Sequence, residues 1–586
     1  MAGVKSNIAK AIGGLLILLL VSAAIHGVRP ARNRSFVYDD VLVIRDNDFI
    51  THPGDLLHLF DQRYLAGSDE QTFRPVMTAT YIIDYQIWGR SAIGFTITNL
   101  LIQLLGAWLL GLILWKILPG RGIVAATSAL LYLIHPALIE TATVPSNREQ
   151  VLSVLFLLLS GWTWLSGRDR RSGVRWLSPL FLLLGCYTLE WSVVWPCVLW
   201  AWSFVNGDSW KKALRSVAPE LAVAMIFILL WFFVQPHIPG APDRIRTDWW
   251  TGVWAFATIF WRYALNAVAP MNLRPSYLFV WPSTTVSLLG LLALTGLVLA
   301  VFIGLLKRQR WTVGALIFIL ALLPVSHIPF PFWIPLADRY LALPLIGFAP
   351  LLCSLLFARK SSWGLIPAAI IAAFWFGQSA SYARVWRANL PLWQYATQHE
   401  PADPTGWTNY GAALLATGLD EQAAAADRIA WRLAKRMRGE TPAHVVNYAT
   451  ALNAAGHNAQ ACAVIAREGV RFSRDRQWLL TTGQVCSASD PQTARAALSA
   501  LLARAPGDCD AWYVLCSIER KNIQSCLTPA LIHCPNDPGL WLLVAAVHAA
   551  TNSPDKCEQA VKIAVSKAKP GWLKNAAGAI PVCRRR

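Results

Sequence analysis

The chain has 586 residues, of which 55% are hydrophobic and 15% charged, with a mean hydropathy of +0.42. A soluble protein of this size carries about 25% charged residues, so the composition excludes an ordinary soluble protein. The formal net charge of +19 would suit a nucleic-acid partner. The basic residues, however, cluster in short loops between apolar runs, where the positive-inside rule places them. We therefore attribute the charge to membrane topology and to anionic lipid, and expect no nucleic-acid partner.

The N-terminus has some features of a signal peptide. Lys5 and Lys10 precede an apolar stretch that runs from Ala11 to Ile25. No small-x-small cleavage site with a soluble domain behind it follows this stretch. We therefore predict a retained first membrane helix rather than a cleaved signal.

Eleven apolar runs recur along the first two thirds of the chain and predict a polytopic membrane protein. They span residues 11–28, 93–115, 123–138, 150–165, 176–190, 191–205, 216–234, 285–305, 312–328, 341–357 and 363–382. Basic loops follow every second run, so a cytoplasmic N-terminus places all of them on the cytoplasmic side. The stretch 250–270 is predicted to be an interfacial or re-entrant helix, although two short crossings would keep the same parity.

The composition changes after the last apolar run and predicts two domains. Residues 1–384 would form the transmembrane domain, with outer loops at 29–92 and 235–284. Residues 385–586 are Ala-rich, charged and helical in pattern, and the same topology puts them on the outer side.

The second domain contains an internal repeat. The stretch NYGAALLATG (409–418) returns 38 residues later as NYATALNAAG (447–456). This pattern is similar to tetratricopeptide repeats, whose period is about 34 residues. We predict five or six helical hairpins stacked as a solenoid, with a generic all-α tail as the alternative. The predicted fold class is all-α throughout.

Most of the cysteines lie in this second domain. Eight of the eleven are there: Cys462, Cys486, Cys509, Cys516, Cys526, Cys534, Cys557 and Cys583. An even number in an outward-facing domain predicts disulfides in an oxidising compartment. We expect sequence neighbours to pair, although eight cysteines allow 105 arrangements. Zinc is not indicated, because no Cys-x-x-Cys or Cys/His pair has ligand spacing.

The short loops favour a bacterial inner membrane with a periplasmic tail.

Polar residues gather at the predicted outer ends of the apolar runs, where charges are costly and often functional. They lie in the stretches FVYDD (36–40), IRDNDF (44–49), FRPV (73–76), HPALIETATVPSNRE (135–149), LEWSVVWP (189–196) and HIPFPFWIPLADRYLALP (327–344). In this topology all of them surround one outward-facing cavity.

The order of these motifs resembles the transmembrane and tetratricopeptide-repeat O-mannosyltransferases and their bacterial relatives, which have the C-type glycosyltransferase fold. The sequence departs from that pattern in two places, since FRPV lacks the usual leading Tyr and Glu190 lacks a preceding Lys. The resemblance implies a polyprenyl-phosphate sugar donor used on the outer side of the membrane. It also implies an acidic base in the first outer loop, which corresponds to Asp39 or Asp40, and direct displacement with inversion.

The candidate site residues fall into three groups, each with a structural alternative. They are the catalytic acids Asp39 and Asp40, the donor or phosphate ligands Arg339, Arg74, Arg148 and Tyr340, and the cavity acids Glu140, Glu190 and Asp338. The Asp pair could instead cap a short helix, Arg74 could snorkel to the headgroups or form an ion pair, and Glu140 could pair with Arg148.

Several other polar residues are weaker candidates. Arg244, Arg246 and Arg274 are further phosphate ligands in the fourth outer loop, whereas His135 and His327 are expected to be structural. No cofactor is indicated. A divalent metal is compatible with the chemistry, but no metal-ligand spacing points to one.

Three functions compete at this point. The leading one is a glycosyltransferase whose solenoid holds a Ser/Thr-containing protein, with a surface polysaccharide or lipid glycan as the alternative acceptor. A non-catalytic membrane scaffold presenting the repeats would need one helix, not eleven with acids and arginines at their outer ends. A transporter would place ionisable residues near the bilayer midplane rather than at one face.

Overall fold

A computed structural model describes residues 2–26, 34–61, 64, 73–169, 173–234, 249–278, 284–326, 336–358, 362–437, 439, 441–468, 472–519, 522–568 and 583. Within these ranges the chain is helical and contains no strand, so the predicted all-α class is confirmed. The chain forms two compact units, Met1–Glu400 and Pro401–Arg586.

The first unit contains sixteen α-helices within its described residues. They are α1 (Ala2–His26), α2 (Pro75–Trp88), α3 (Ala92–Ile117), α4 (Gly122–Leu133), α5 (Ile139–Thr143), α6 (Arg148–Asp169), α7 (Leu177–Cys186), α8 (Trp195–Val205), α9 (Trp210–Ser216), α10 (Ala218–Val234), α11 (Trp249–Val268), α12 (Thr284–Leu306), α13 (Trp311–Leu322), α14 (Ala342–Leu356), α15 (Leu365–Val385) and α16 (Asn389–His399). Short π and 3-10 turns occupy Val41–Arg45, Phe49–Thr51 and Pro53–His58 in the first predicted outer loop.

Five described helices are long and apolar enough to cross a membrane, and seven if two bent helix pairs each count as one span. The bent pairs are α4 with the turn and helix at 136–143, and α9 with α10. The other four predicted spans coincide with α1, α7, α8 and α13. Three of them contain shorter apolar helices, and α8 has 11 residues. The stretch at 250–270 is one continuous helix, α11, rather than two short crossings.

Glycines let the helices that carry polar loops approach closely. A Cβ atom on Gly347 of α14 would lie 2.3 Å from the carbonyl oxygen of Gly314 in α13. A Cβ on Gly290 of α12 would meet the carbonyl of Ala257 in α11. Such small-residue contacts are typical of packed membrane helices. They fix α14, which follows directly after the buried turn Asp338–Leu341.

Within its described residues, the second unit is a succession of five helical hairpins. They pair α17 (Pro404–Leu415) with α18 (Asp420–Arg436), α19 (Pro442–Ala454) with α20 (Asn458–Arg467), α21 (Arg476–Cys486) with α22 (Pro491–Leu502), α23 (Cys509–Ile518) with α24 (Ile523–His533), and α25 (Pro538–Ala550) with α26 (Pro554–Lys567). Asp side chains cap the first helices of four hairpins by accepting backbone N–H groups, as N-caps do: Asp403, Asp475, Asp508 and Asp537. The number of hairpins agrees with the prediction.

The disulfides confirm oxidised cysteines but correct half of the predicted pairing. Two neighbour pairs form as expected, Cys462–Cys486 and Cys557–Cys583. The other four cysteines form a nested set, Cys509–Cys534 and Cys516–Cys526. The helices α23 and α24 form one hairpin, so the start of the first helix lies beside the end of the second. The prediction that sequence neighbours pair was wrong for these four cysteines. The turn between the two helices brings the two cysteines nearest to it together, and the two cysteines further from it form the other disulfide.

The first hairpin contains a buried carboxyl group. Asp427 of α18 is 2% exposed, and its Oδ1 atom has no hydrogen-bond partner among the described residues. It packs against Gly411 of α17, where a Cβ would come within 2.3 Å of that oxygen. Burial raises the pKa of Asp427 to about 8.

The raised pKa of Asp427 predicts that the stability of the second unit depends on pH. Between the ordinary Asp pKa of 3.8 and the folded pKa of about 8, the folded state holds one more proton than the unfolded state. The free energy of unfolding should therefore fall as pH rises, by up to about 1.4 kcal/mol per pH unit, and level off above pH 8. Hydrogen exchange of α17 and α18 in the full chain measures this slope. Asp427→Asn should remove it, whereas Asp555→Asn at an exposed position should not. An unchanged slope in Asp427→Asn would contradict the assignment.

Candidate functional site

The two adjacent aspartates lie in a loop with an unusual backbone. Tyr38 has a φ of 53°, in the left-handed region that non-glycine residues seldom adopt. The loop is held on both sides, because Tyr38 N–H donates to Asn389 Oδ1 at 3.0 Å and Arg34 donates to Thr143 O at 2.9 Å. Such strain persists only where surrounding contacts enforce it, and it is enriched at functional sites. Here it directs consecutive carboxylates into different surroundings.

Asp40 points into the protein and is fully engaged. Its side chain is 1% exposed. One oxygen accepts from the Ser146 N–H at 2.7 Å and the other from the Val37 N–H at 3.2 Å. Burial raises the pKa of Asp40 to about 7, and the two backbone hydrogen bonds oppose that rise. Both oxygens hold backbone, so Asp40 ties the loop to the turn at 145–147.

Asp39 points the other way and has a free carboxylate. It is exposed to solvent, and no hydrogen bond or ion pair to its carboxylate occurs within the described residues. Surrounding protein nevertheless raises its pKa by desolvation, with Arg339 lowering it and Glu140 raising it further. A carboxylate that water reaches but that the surrounding protein partly desolvates lies in a recess. An accessible carboxylate with a raised pKa suits a general base.

Arg339 and Glu140 both act electrostatically on Asp39, and they are paired with each other. Arg339 Nη1 donates to Glu140 Oε1 at 2.6 Å, and the Arg339 backbone N–H donates to Oε2 at 3.3 Å. Asn147 also donates to Glu140 Oε1, at 3.1 Å. The Arg339 and Glu140 side chains are 8% and 1% exposed. Glu140 therefore pairs with Arg339 and not with Arg148, the structural alternative that the sequence left open.

Arg148 occupies a different, enclosed environment. Its side chain has no exposed surface and donates to Asp84 at 2.5 Å, to Asn99 Oδ1 at 2.6 Å and to Thr80 at 3.0 Å. It also donates to the Phe95 carbonyl. The guanidinium thus joins α2, α3 and α6, and it has no free side for a phosphate in this structure. We assign it a structural role.

The buried contacts of Arg148 predict that its replacement destabilises the first unit. Arg148→Met should lower the free energy of unfolding of the first unit by about 3–5 kcal/mol, because Asp84 loses a buried partner. Thermal unfolding in detergent measures this change. Arg90→Gln is the matched control, since Arg90 and Asp48 form an exposed pair at 3.1 Å that contributes at most about 1 kcal/mol. A stable Arg148→Met variant with weakened donor binding would contradict the structural role.

A second charged group adjoins the first. Arg74 lies between Glu190 and Glu149, with nitrogen–oxygen distances of 3.3 and 3.5 Å. Arg339 lies near enough to Glu149 to interact with it electrostatically, which joins the two groups. Glu149 is 4% exposed and its Oε2 atom lacks a partner among the described residues. Sequence reasoning missed Glu149, whose only signal was its place beside Arg148 at the end of the HPALIETATVPSNRE stretch.

Tyr340 covers the side of this group nearest Arg339. Its ring lies 5.1 Å from the Arg339 guanidinium carbon and packs edge-on against Trp191 at 4.9 Å. Trp191 follows Glu190 directly in the turn Glu190–Val194. The contacts thus bring together five predicted residues that lie far apart in sequence: Arg74, Glu140, Glu190, Arg339 and Tyr340.

Asp338 belongs to a separate hydrogen-bonded cluster. Its carboxylate accepts from Tyr277 Oη at 2.6 Å, from Asn266 at 3.2 Å and from the Arg274 backbone N–H at 3.0 Å. The Arg274 guanidinium pairs with Glu400. Asp338 therefore ties α11 and the segment after it to the turn that precedes α14.

The remaining candidates are structural or lie beyond what the structure describes. His135 Nδ1 accepts from the Ala137 N–H at 3.2 Å, and its other ring nitrogen contacts the Ala267 carbonyl. Arg244, Arg246 and His327 lie outside the described residues. No group of three or more His, Cys, Asp or Glu side chains suited to a metal occurs in the described ranges.

Comparison with known proteins supports the resemblance found in the motifs. No family model matches the chain. It is similar to protein O-mannosyl-transferase F38B6.6 of Caenorhabditis elegans, with 23% identity over 426 residues that cover 70% of this chain and 61% of that protein. It is also similar to protein O-mannosyl-transferase Tmtc1 of Drosophila melanogaster, with 26% identity over 157 residues, which are 26% of this chain and 18% of that protein. The predicted likeness to O-mannosyltransferases is confirmed, and the chain spans less than two thirds of either relative.

Proposed function

We propose that this chain is a membrane glycosyltransferase that moves a sugar from a polyprenyl-phosphate donor to an acceptor hydroxyl on the outer side of the membrane. The observation that carries the proposal is the Asp39 carboxylate, which is free, solvent-accessible and beside Arg339. The named activity of the two relatives supports the same reaction class. Mannose is accordingly the first sugar to test.

Asp39 is the general base in this proposal. Its carboxylate takes the proton of the acceptor hydroxyl while that oxygen attacks the anomeric carbon. The bond from the anomeric carbon to the phosphate oxygen breaks, and the polyprenyl phosphate leaves with the bonding electrons. One direct displacement inverts the anomeric configuration.

Arg74 and Arg339 stabilise the charge that develops on the leaving phosphate. Guanidinium groups bind phosphate oxygens through paired, charge-assisted hydrogen bonds. Arg74 is the more accessible of the two, with 17% of its side chain exposed, and its contacts to Glu149 and Glu190 are 3.3 Å or longer. Arg339 is held by its ion pair with Glu140 and contributes its positive charge near Asp39.

The acceptor in this proposal is a protein Ser or Thr hydroxyl. The hairpins of the second unit bind an extended acceptor segment, since stacked helical hairpins form surfaces suited to such segments. The basic loops that follow every second apolar run and the oxidised cysteines of the tail support a periplasmic tail and a bacterial inner membrane.

The proposal is tested with purified full chain in proteoliposomes, radiolabelled polyprenyl-phosphate mannose and a periplasmic protein fraction. We expect label in protein that mild alkali releases by β-elimination, because O-linked sugars on Ser and Thr leave in this way. Label in glycan or lipid instead of protein would overturn the protein acceptor. An absence of transfer from any polyprenyl-linked sugar would overturn the enzyme and leave the scaffold function.

A further inference from the structure

The second unit carries a basic ridge that the proposed transfer reaction does not use. Arg428, Arg432 and Arg436 occur at intervals of four residues in α18 and therefore lie along one face of the helix. All three are exposed, and within the described residues they make no ion pair or hydrogen bond. The neighbouring Lys435 is different, because it pairs with Glu468 at 3.0 Å.

The residues around the ridge orient it toward solvent and add apolar surface beside it. The opposite face of α18 is buried and consists largely of alanines such as Ala423, Ala430 and Ala434, so the face that carries the arginines points to solvent. Ile429 and Met437 next to the row are also exposed, at 37% and 44%. Exposed arginines beside apolar side chains can contact both the headgroups and the acyl boundary of a membrane surface.

We propose that the basic ridge, Arg428, Arg432 and Arg436, docks the second unit on anionic phospholipid headgroups. Unpaired guanidinium groups in an open row complement a plane of phosphates, each of which accepts hydrogen bonds from one fork. An acidic protein segment is the less favoured partner, since the row lies on an exposed helix face rather than in a groove. The ridge belongs to the first hairpin after the boundary at Glu400, the hairpin closest in sequence to the membrane-spanning helices.

This docking is independent of catalysis. It depends on the first unit being embedded in a bilayer, and it requires neither a sugar donor nor an acceptor. Headgroup attraction by exposed arginines is reduced by salt within a Debye length, so docking should weaken as ionic strength rises.

The test uses the full chain in nanodiscs made of phosphatidylcholine alone or with about one third phosphatidylglycerol. Hydrogen exchange of α18 amides is measured by mass spectrometry in both membranes, with α22 as an internal reference. We expect exchange in α18 to be slower by about fivefold or more in the anionic membrane, with the difference lost at high salt. Exchange in α22 should not change.

Matched variants separate the ridge from general charge. Arg428→Gln, Arg432→Gln and Arg436→Gln together should abolish the difference between membranes. Removing three other exposed tail arginines, Arg467, Arg474 and Arg504, should leave it intact. Equal α18 exchange in both membranes, or equal losses in the two triple variants, would overturn the proposal. Protection of α18 that appears only on adding the periplasmic protein fraction, in either membrane, would overturn it in favour of a protein partner.

Discussion

Asp39→Asn is expected to lower the rate of sugar transfer by about 10²- to 10⁴-fold, the range that loss of a general base produces. The asparagine amide fills the same space but cannot accept a proton from the attacking hydroxyl. Donor binding and the thermal unfolding temperature should remain close to those of the wild type, because the Asp39 carboxylate holds no other described residue. The measurement is the initial rate at saturating donor.

The adjacent residue provides the matched control. Asp40→Asn replaces one acceptor oxygen by an N–H₂ group that faces the N–H of Val37 or Ser146. It should therefore lower stability by about 1–3 kcal/mol through an unsatisfied buried donor, with any rate loss following the loss of folded protein. Transfer that survives in Asp39→Asn and disappears in well-folded Asp40→Asn would exchange the two roles.

The pH profile of the wild type supplies a second readout for Asp39. Burial raises the pKa of its carboxyl above the usual Asp value. A base must be deprotonated, so kcat should fall as pH drops through that raised pKa and should be constant above it. Asp39→Asn should lose this acidic limb while retaining any slope that originates elsewhere.

Arg74→Gln is expected to raise the KM for the polyprenyl-phosphate donor by about 10- to 150-fold. This range corresponds to the 1.5–3 kcal/mol contributed by a hydrogen bond to a charged group. Arg74→Lys should recover part of that loss, because it keeps the charge but loses the planar fork that binds two phosphate oxygens. The effect appears in titrations of donor at fixed acceptor.

Arg90→Gln serves as the control for Arg74. It removes a basic side chain that pairs with Asp48 on the surface, and it should leave the donor KM unchanged. An Arg74→Gln variant with normal donor KM but a lowered unfolding temperature would show that Arg74 only neutralises Glu149 and Glu190. The phosphate would then be bound by Arg339 alone.

The sequence indicated most of the candidate site residues but not the side chains with which they pair. The stretch FVYDD indicated both aspartates as candidates, but nothing within these five residues distinguishes their roles. Their difference arises from the left-handed backbone at Tyr38 and from a hydrogen bond between Asp40 and Ser146, 106 residues away. Likewise, the charges in HPALIETATVPSNRE suggested a local pair. The true partners of Glu140 and Arg148 lie 199 and 64 residues away, at Arg339 and Asp84.

The overall architecture was more predictable because it follows from local patterns. Apolar run length, small residues and helix N-caps are properties of short segments, and each predicted span contains a helix. Which side chains pair depends on how distant segments pack, and no short stretch of the sequence shows this. The nested disulfides Cys509–Cys534 and Cys516–Cys526 illustrate the same limit within a single hairpin.

The anomeric configuration of the transferred sugar tests the central claim most directly. Product made by the purified chain from polyprenyl-phosphate mannose of known configuration is digested with mannosidases specific for each anomer. A single displacement by a hydroxyl that Asp39 activates predicts inversion. Retention would require a covalent sugar–enzyme intermediate and two displacements, and it would contradict Asp39 as the base of a direct transfer.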